Sequence, residues 1–167
     1  KGELTAQAGD ANFDDAAWRV VNLPHDWSIE GVPSENEPSG NDGGYRPTGK
    51  GWYRKTFEMG KTDELKIGKA EDKRFSLYFE GVYMNSTVFV NEKPAFDWKY
   101  GYSTFEADIT EYLQDGENEI EVLVRHEAPN TRWYSGAGIF RDVYLIETEK
   151  SYLTTDGTYF HTDKTDN

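Results

Sequence analysis

The sequence predicts an all-β domain, an antiparallel β-sandwich of the jelly-roll type. Three observations carry this. Apolar residues recur with a period of two in about eight short runs, separated by turn residues rather than by helices. Helix-forming stretches are scarce, while aromatic residues reach 15% of the 167 positions. Residues 74–92, RFSLYFEGVYMNSTVFVNE, read as two strands around an irregular break. In the first, Phe75, Leu77 and Phe79 alternate with Arg74, Ser76, Tyr78 and Glu80, which puts the apolar set on one face. Val88 and Val90 share a face in the second. Asn91 then marks a tight turn, because Asn tolerates positive φ and bonds its own backbone. The break at 81–86 is free to carry polar groups at a sheet rim, where binding residues commonly sit.

Taken in order, residues 1–17 are small and polar and read as an irregular lead-in. Asp10 to Asp14 imitates the start of a calcium loop, but Asp15 stands where glycine is required and Val21 where the bidentate Glu belongs. Trp18 to Trp27, WRVVNLPHDW, is expected to be a short strand running into a turn at Pro24, held by Asn22 and Asp26 side chains, with His25 bonded to nearby backbone. Residues 28–50 form a long loop rich in Gly, Pro, Ser and Asn, in which Tyr45 and Arg46 are the residues able to stack or pair strongly. Gly51 to Phe57 is a strand. Residues 58–73 are a charged connector with a helical turn near Asp63 to Lys66.

After the organising pair of strands, Pro94 to Tyr102 is an aromatic-rich stretch. Phe105 and Ala107 lie on a short strand, and Asp108 or Thr110 caps one turn ending at Leu113. Asp115-Gly116 signals a turn. Asn118 to Arg125 is an amphipathic strand with Ile120, Val122 and Val124 inward and Glu119, Glu121 and Arg125 outward. A loop follows at 128–139, then a strand at Phe140 to Glu147 and a last weak strand near Thr158 to His161. On this reading residues 1–150 form the jelly roll and 151–167 a final strand and linker.

The formal net charge of −13 argues against nucleic acid, whose binding rests on Lys and Arg displacing counterions, and against anionic membranes and acidic polysaccharides. A neutral ligand fits better. No apolar run approaches the roughly 18 residues that span a bilayer. With no cysteine there is no disulfide framework or thiol nucleophile, which favours the cytoplasm while leaving a secreted or periplasmic setting open. Lys1-Gly2-Glu3 reads as a cut rather than a natural start.

No serine elbow of the form G-x-S-x-G is present, and no histidine lies near Ser135-Gly136 in the sequence. No pair of carboxylates stands out as buried and convergent, as glycoside hydrolysis would need. What the loops do hold is aromatic rings, Tyr45, Tyr83, Trp98, Tyr100, Tyr102, Trp133 and Tyr134, interleaved with Asn85, Asp97, Asn130 and Arg132. Sugar faces pack on such rings, and sugar hydroxyls bond such polar groups.

Four ordered segments, LPHDW (23–27), GWYRKTF (51–57), FEGVYMNSTVFVN (79–91) and RWYSGAGIFRDV (132–143), together resemble the N-terminal sugar-binding domain of glycoside hydrolase family 2, a galactose-binding-domain-like jelly roll. The first and last resemble β-galactosidases more than the β-glucuronidases or β-mannosidases of that family. The resemblance implies a parent enzyme in which the jelly roll is followed by an immunoglobulin-like domain and a TIM barrel. Two barrel glutamates would hydrolyse the glycoside with retention, and neither lies in this chain. It implies no catalytic residue and no cofactor here, sodium or magnesium as the ions to look for in the parent, and a parent that can be a homo-oligomer. Tyr83 falls where some β-galactosidases place a sugar-facing Asn, and Thr131 or Arg132 near an Asp that contacts sugar and sodium. Both positions differ in type, so those contacts do not transfer. The expected subsite wall is Tyr83, Met84, Asn85, Arg132, Trp133 and Tyr134, facing a β-galactoside. The alternatives are a β-glucuronidase or β-mannosidase parent, a free-standing carbohydrate-binding module, and a packing domain that never meets sugar.

Overall fold

A computed structural model describes residues 13–59 and 73–164. Seven strands, all paired antiparallel, form two sheets among these residues. The strands are β1 (Gly49–Met59), β2 (Lys73–Phe79), β3 (Ser86–Val90), β4 (Lys93–Trp98), β5 (Phe105–Asp108), β6 (Gly116–His126) and β7 (Val143–Glu149). One sheet runs β1-β6-β3-β4 and the other β5-β2-β7. This is the antiparallel sandwich of jelly-roll type that the alternation foretold.

The core lies where the period of two places it. Phe75, Leu77 and Phe79 of β2 are buried, as are Val88 and Val90 of β3 and Val122 and Val124 of β6. Each such side chain contributes about 1.5–3 kcal/mol by leaving water. An aromatic stack joins the sheets: Phe105 packs on Phe79 at 4.6 Å, on Trp98 at 5.4 Å and on Phe96 at 5.7 Å. Asn91 and Glu92 have φ of 50° and 64°, the left-handed pair of a tight hairpin turn. Asn91 also donates to the carbonyl of Tyr112 and to Asn118 Oδ1, and accepts from the Glu119 amide.

That turn explains a strand the alternation did not reveal. It folds residues 93–98 back onto β3 as an edge strand, where Pro94 is tolerated, with a bulge opposite Val88 and Phe89. The short turn after β5 is a 3-10 helix, Thr110–Tyr112, whose N-cap position is Ile109 rather than Asp108 or Thr110, although Asp108 does accept from the Thr110 amide.

Two expected strands are absent, and one outward residue is covered. No strand forms at 18–27. Val20 is 97% exposed, and the segment bends through Pro24 into a one-turn helix, α1 (Trp27–Glu30), capped by Asp26. No strand forms at 158–161 either: no sheet neighbour pairs with it, and Phe160 is 90% exposed. Glu121 does lie on the outer face of β6, yet it is 1% exposed. Its partner is Arg54 of β1, bonded at 2.9 Å, and Arg54 in turn holds the lead-in through Asp15 at 3.2 Å and the Phe13 carbonyl at 3.4 Å. The Trp18 ring covers the guanidinium at 5.4 Å. The expected helical turn near Asp63 and the first twelve residues lie outside the described residues.

Candidate functional site

At one end of the sandwich, the 128–139 loop dovetails with the LPHDW segment. The His25 amide donates to the Ile139 carbonyl at 2.8 Å and the Trp27 amide to the Ala137 carbonyl at 3.1 Å. Asp26 Oδ1 accepts from the amides of Ser28 (2.9 Å) and Ala137 (3.1 Å), and the Tyr134 hydroxyl donates to Oδ2. Gly138 has φ of 117°, and a Cβ there would press on the His25 carbonyl at 2.8 Å and on the Trp27 ring. From sequence, His25 is expected to bond nearby backbone; its ring instead bonds side chains. Its Nδ1 meets the Tyr53 hydroxyl at 2.8 Å and its Nε2 lies 3.3 Å from Glu30.

The break between β2 and β3, residues 80–85, packs beside this loop. Tyr83 and Gly138 exchange both backbone hydrogen bonds, at 2.9 and 3.0 Å. The carbonyls of Met84 and Asn85 both accept from Arg125, one from its amide and one from its guanidinium, each at 2.9 Å. Asn130 donates to the Glu127 carbonyl and lies 3.7 Å from the Met84 sulfur, so the two segments touch.

The six expected wall residues therefore gather at one end, but they differ in exposure. Trp133 is 61% exposed, Arg132 is exposed and Tyr134 partly so. Met84 and Asn85 are half-buried. Tyr83 is only 3% exposed: its ring stands edge-on to His126 at 5.3 Å and tilts against Tyr102 at 5.1 Å. It supports the wall from within rather than presenting a face. Tyr100, 60% exposed, extends the aromatic rim beyond Tyr102.

The tertiary fold also brings a histidine to Ser135, which sequence distance did not suggest. His126 Nε2 lies 3.4 Å from Ser135 Oγ, both buried. Burial holds the His126 ring below its ordinary pKa, against the pull of the Asp26 charge. The pair lacks the parts of a nucleophilic site. The distance is long, and Nδ1 meets no carboxylate to orient the ring. The slit beside them, edged by Asn130, Thr131, Trp133 and Tyr134, measures about 10 Å³, room for one water and not for a sugar ring. A wider hollow of about 450 Å³ opens between the sheets, lined by Tyr53, Phe57, Leu77, Ile120, Val143 and Leu145. Its lining is mostly apolar, with Asn22, Arg54 and Lys55 among the residues bordering it. Among the described residues the rim is thus an open surface carrying exposed rings beside amide groups.

Residues 41–149 match the family described as "Glycosyl hydrolases family 2, sugar binding domain". The chain belongs to glycoside hydrolase family 2. It is 47% identical over 162 residues to the Beta-galactosidase BoGH2A of Bacteroides ovatus, covering 96% of this chain and 18% of that protein. It is 38% identical over 152 residues to a putative beta-glucuronidase of Formosa agariphila, covering 90% of this chain and 14% of that protein. Among solved structures, a beta-glycosidase from Bacteroides vulgatus superposes with a TM-score of 0.78 at 39% identity, over 89% of this chain and 19% of that one. The family 2 chain spans less than a fifth of the length of these relatives. Sequence reasoning gave Asp26 only a turn-holding role and gave His126 none. Asp26 carried a signal, since it sits inside LPHDW; His126 carried none.

Proposed function

We propose that this family 2 domain is the N-terminal sugar-binding domain of a β-galactosidase-like hydrolase, packed on a TIM barrel and lending its rim loops to the sugar subsite. In this reading two glutamates outside the chain perform the retaining hydrolysis, and the chain alone is inactive. The supporting observation is the open wall itself. Trp133 and Tyr134 stand exposed beside Met84 and Asn85 with no enclosed pocket between them, the form expected of half a site. The Trp133 ring is the face for the apolar side of a pyranose.

The test is Trp133→Ala in the full-length enzyme, assayed on aryl β-galactosides. A fall in kcat/KM of about tenfold or more, with an unchanged melting point, supports a subsite role. Unchanged kinetics would remove Trp133 from the wall. A second reading, a β-glucuronidase parent, is favoured by the relatives named for that activity and by exposed Arg132, a partner suited to a uronate carboxylate. Assaying aryl β-glucuronides alongside separates the two: preference for the glucuronide, lost in Arg132→Gln, would replace the galactosidase reading.

A further inference from the structure

We infer that Asp26 is the positioning residue of the aromatic rim: it holds Tyr134, and through it the tip of the 131–135 loop, in the orientation that faces the ligand. This rests on the reading of Trp133 and Tyr134 as part of the sugar wall.

Asp26 is committed to three donors at once, two amides on Oδ1 and the Tyr134 hydroxyl on Oδ2. Only a carboxylate accepts in that way. An asparagine keeps one acceptor oxygen and turns an NH2 toward the phenol. A residue so occupied is poorly placed to be a sugar ligand itself and well placed to orient one.

Other bonds hold the base and inner side of the loop: the Tyr83 hydroxyl meets the Thr131 and Ser135 side chains, and His126 faces Ser135. Thr131 donates to the Trp133 carbonyl at 2.7 Å, and Tyr102 donates to the Ser135 carbonyl at 3.2 Å. The Tyr134 hydroxyl is what ties the tip to LPHDW, 108 residues away in sequence. Gly136, with φ of 84°, lets the backbone pass close to Asp26; a Cβ there would stand 3.3 Å from Oδ2.

There is a consequence for recognition. Because the Tyr134 hydrogen is given to Asp26, the phenol oxygen has only lone pairs left for a ligand. It therefore selects a group that donates, such as a sugar hydroxyl, and disfavours an acceptor-only group such as a carboxylate at that position.

Asp26→Asn, Tyr134→Phe and the double variant test this in the full-length enzyme. Amide exchange is read on peptides spanning 130–140, with KM and kcat on the preferred aryl glycoside. Each single change is expected to speed exchange in this loop about tenfold, the scale of one charge-assisted hydrogen bond, and to raise KM with kcat nearly unchanged. The double variant should be no worse than Asp26→Asn alone. Tyr134→Phe removes one hydroxyl and leaves both amide bonds of Asp26 in place, so it reads the tie even if Asp26→Asn does not fold. Unaltered exchange in Tyr134→Phe, or effects that multiply in the double variant, would overturn the proposal. Coupled exchange with native KM in all variants would instead uphold the anchoring and take the loop out of the sugar wall.

Discussion

Two charged groups fasten residues 13–30 to the sandwich, Arg54 from the sheet and Asp26 from within the segment, and they do so under opposite conditions. On the outer face of β1, the side chain of Arg54 is 8% exposed and that of its partner Glu121 1%. At the rim, Asp26 is half-buried and its partners are two amides and a phenol. The first arrangement takes two opposite charges out of water together. Burial lowers the Arg54 pKa, but the bond to Glu121 and the Glu119 and Glu121 charges outweigh it, so the guanidinium stays charged. The second arrangement keeps one charge near water and uses it as a multiple acceptor. The difference shows a division of labour. The buried pair makes the sheet face dependent on its cover, while the rim carboxylate leaves a loop open to solvent yet fixed in direction.

Removing Arg54 should break this contrast most severely. Arg54→Ala leaves Glu121 buried without its counter-charge, and the expected loss is about 3–5 kcal/mol, read as a lowered denaturant midpoint. Replacing both partners, Arg54→Met with Glu121→Leu, should recover most of that loss. If it does not, the charge pair contributes more than its own desolvation costs, and the contrast with the rim narrows.

The rim should respond to acid in a way the sheet face does not explain. His126 has a folded pKa below its ordinary value of about 6.5, so the unfolded chain takes up the proton first. Its contribution is fully present at higher pH and declines as pH falls below about 6.5, with a slope of at most about 1.4 kcal/mol per pH unit until the folded-state pKa is passed. His126→Gln should flatten that part of the stability profile. Glu119, whose pKa burial raises, has the opposite sign: its contribution is lost as pH rises through the folded value. Equal profiles for the native chain and His126→Gln would show that the buried imidazole is not what makes the rim acid-sensitive.

Two smaller effects sharpen the comparison. Asp15 reaches Arg54 from the exposed lead-in, its side chain 46% accessible, so Asp15→Ala should cost only about 0.2–1 kcal/mol and less at high salt. Trp133→Ala should leave thermal stability within about 0.5 kcal/mol, because the ring stands mostly in solvent, while changing kinetics as described above. A large melting-point drop for Trp133→Ala would assign the loop to structure rather than to recognition.

That two aromatic loop segments would matter together was legible in the sequence. The GVYMN and RWYSGAG segments stood out as aromatic interruptions of alternating strands, and the structure brings them together at one end. What was not legible was their depth. Tyr83 and Trp133 look alike as loop aromatics, yet one is nearly sealed and the other mostly open. The same blindness hid the burial of Glu121 on its outer face and made residues 18–27 look like a strand.

By itself the sequence determined the strands and faces of β2, β3 and β6 and the hairpin turn at Asn91, because these follow from neighbours along the chain: a period of two sorts side chains between faces, and a left-handed turn selects its residues. Only the tertiary structure decided that β4 would pair, that the outer face of β6 would be covered, and that Asp26 would meet Tyr134. Those outcomes depend on which segments come to lie against one another across the sandwich. Chain proximity carries no information about that, whereas burial and hydrogen-bond satisfaction in the folded state depend on it entirely.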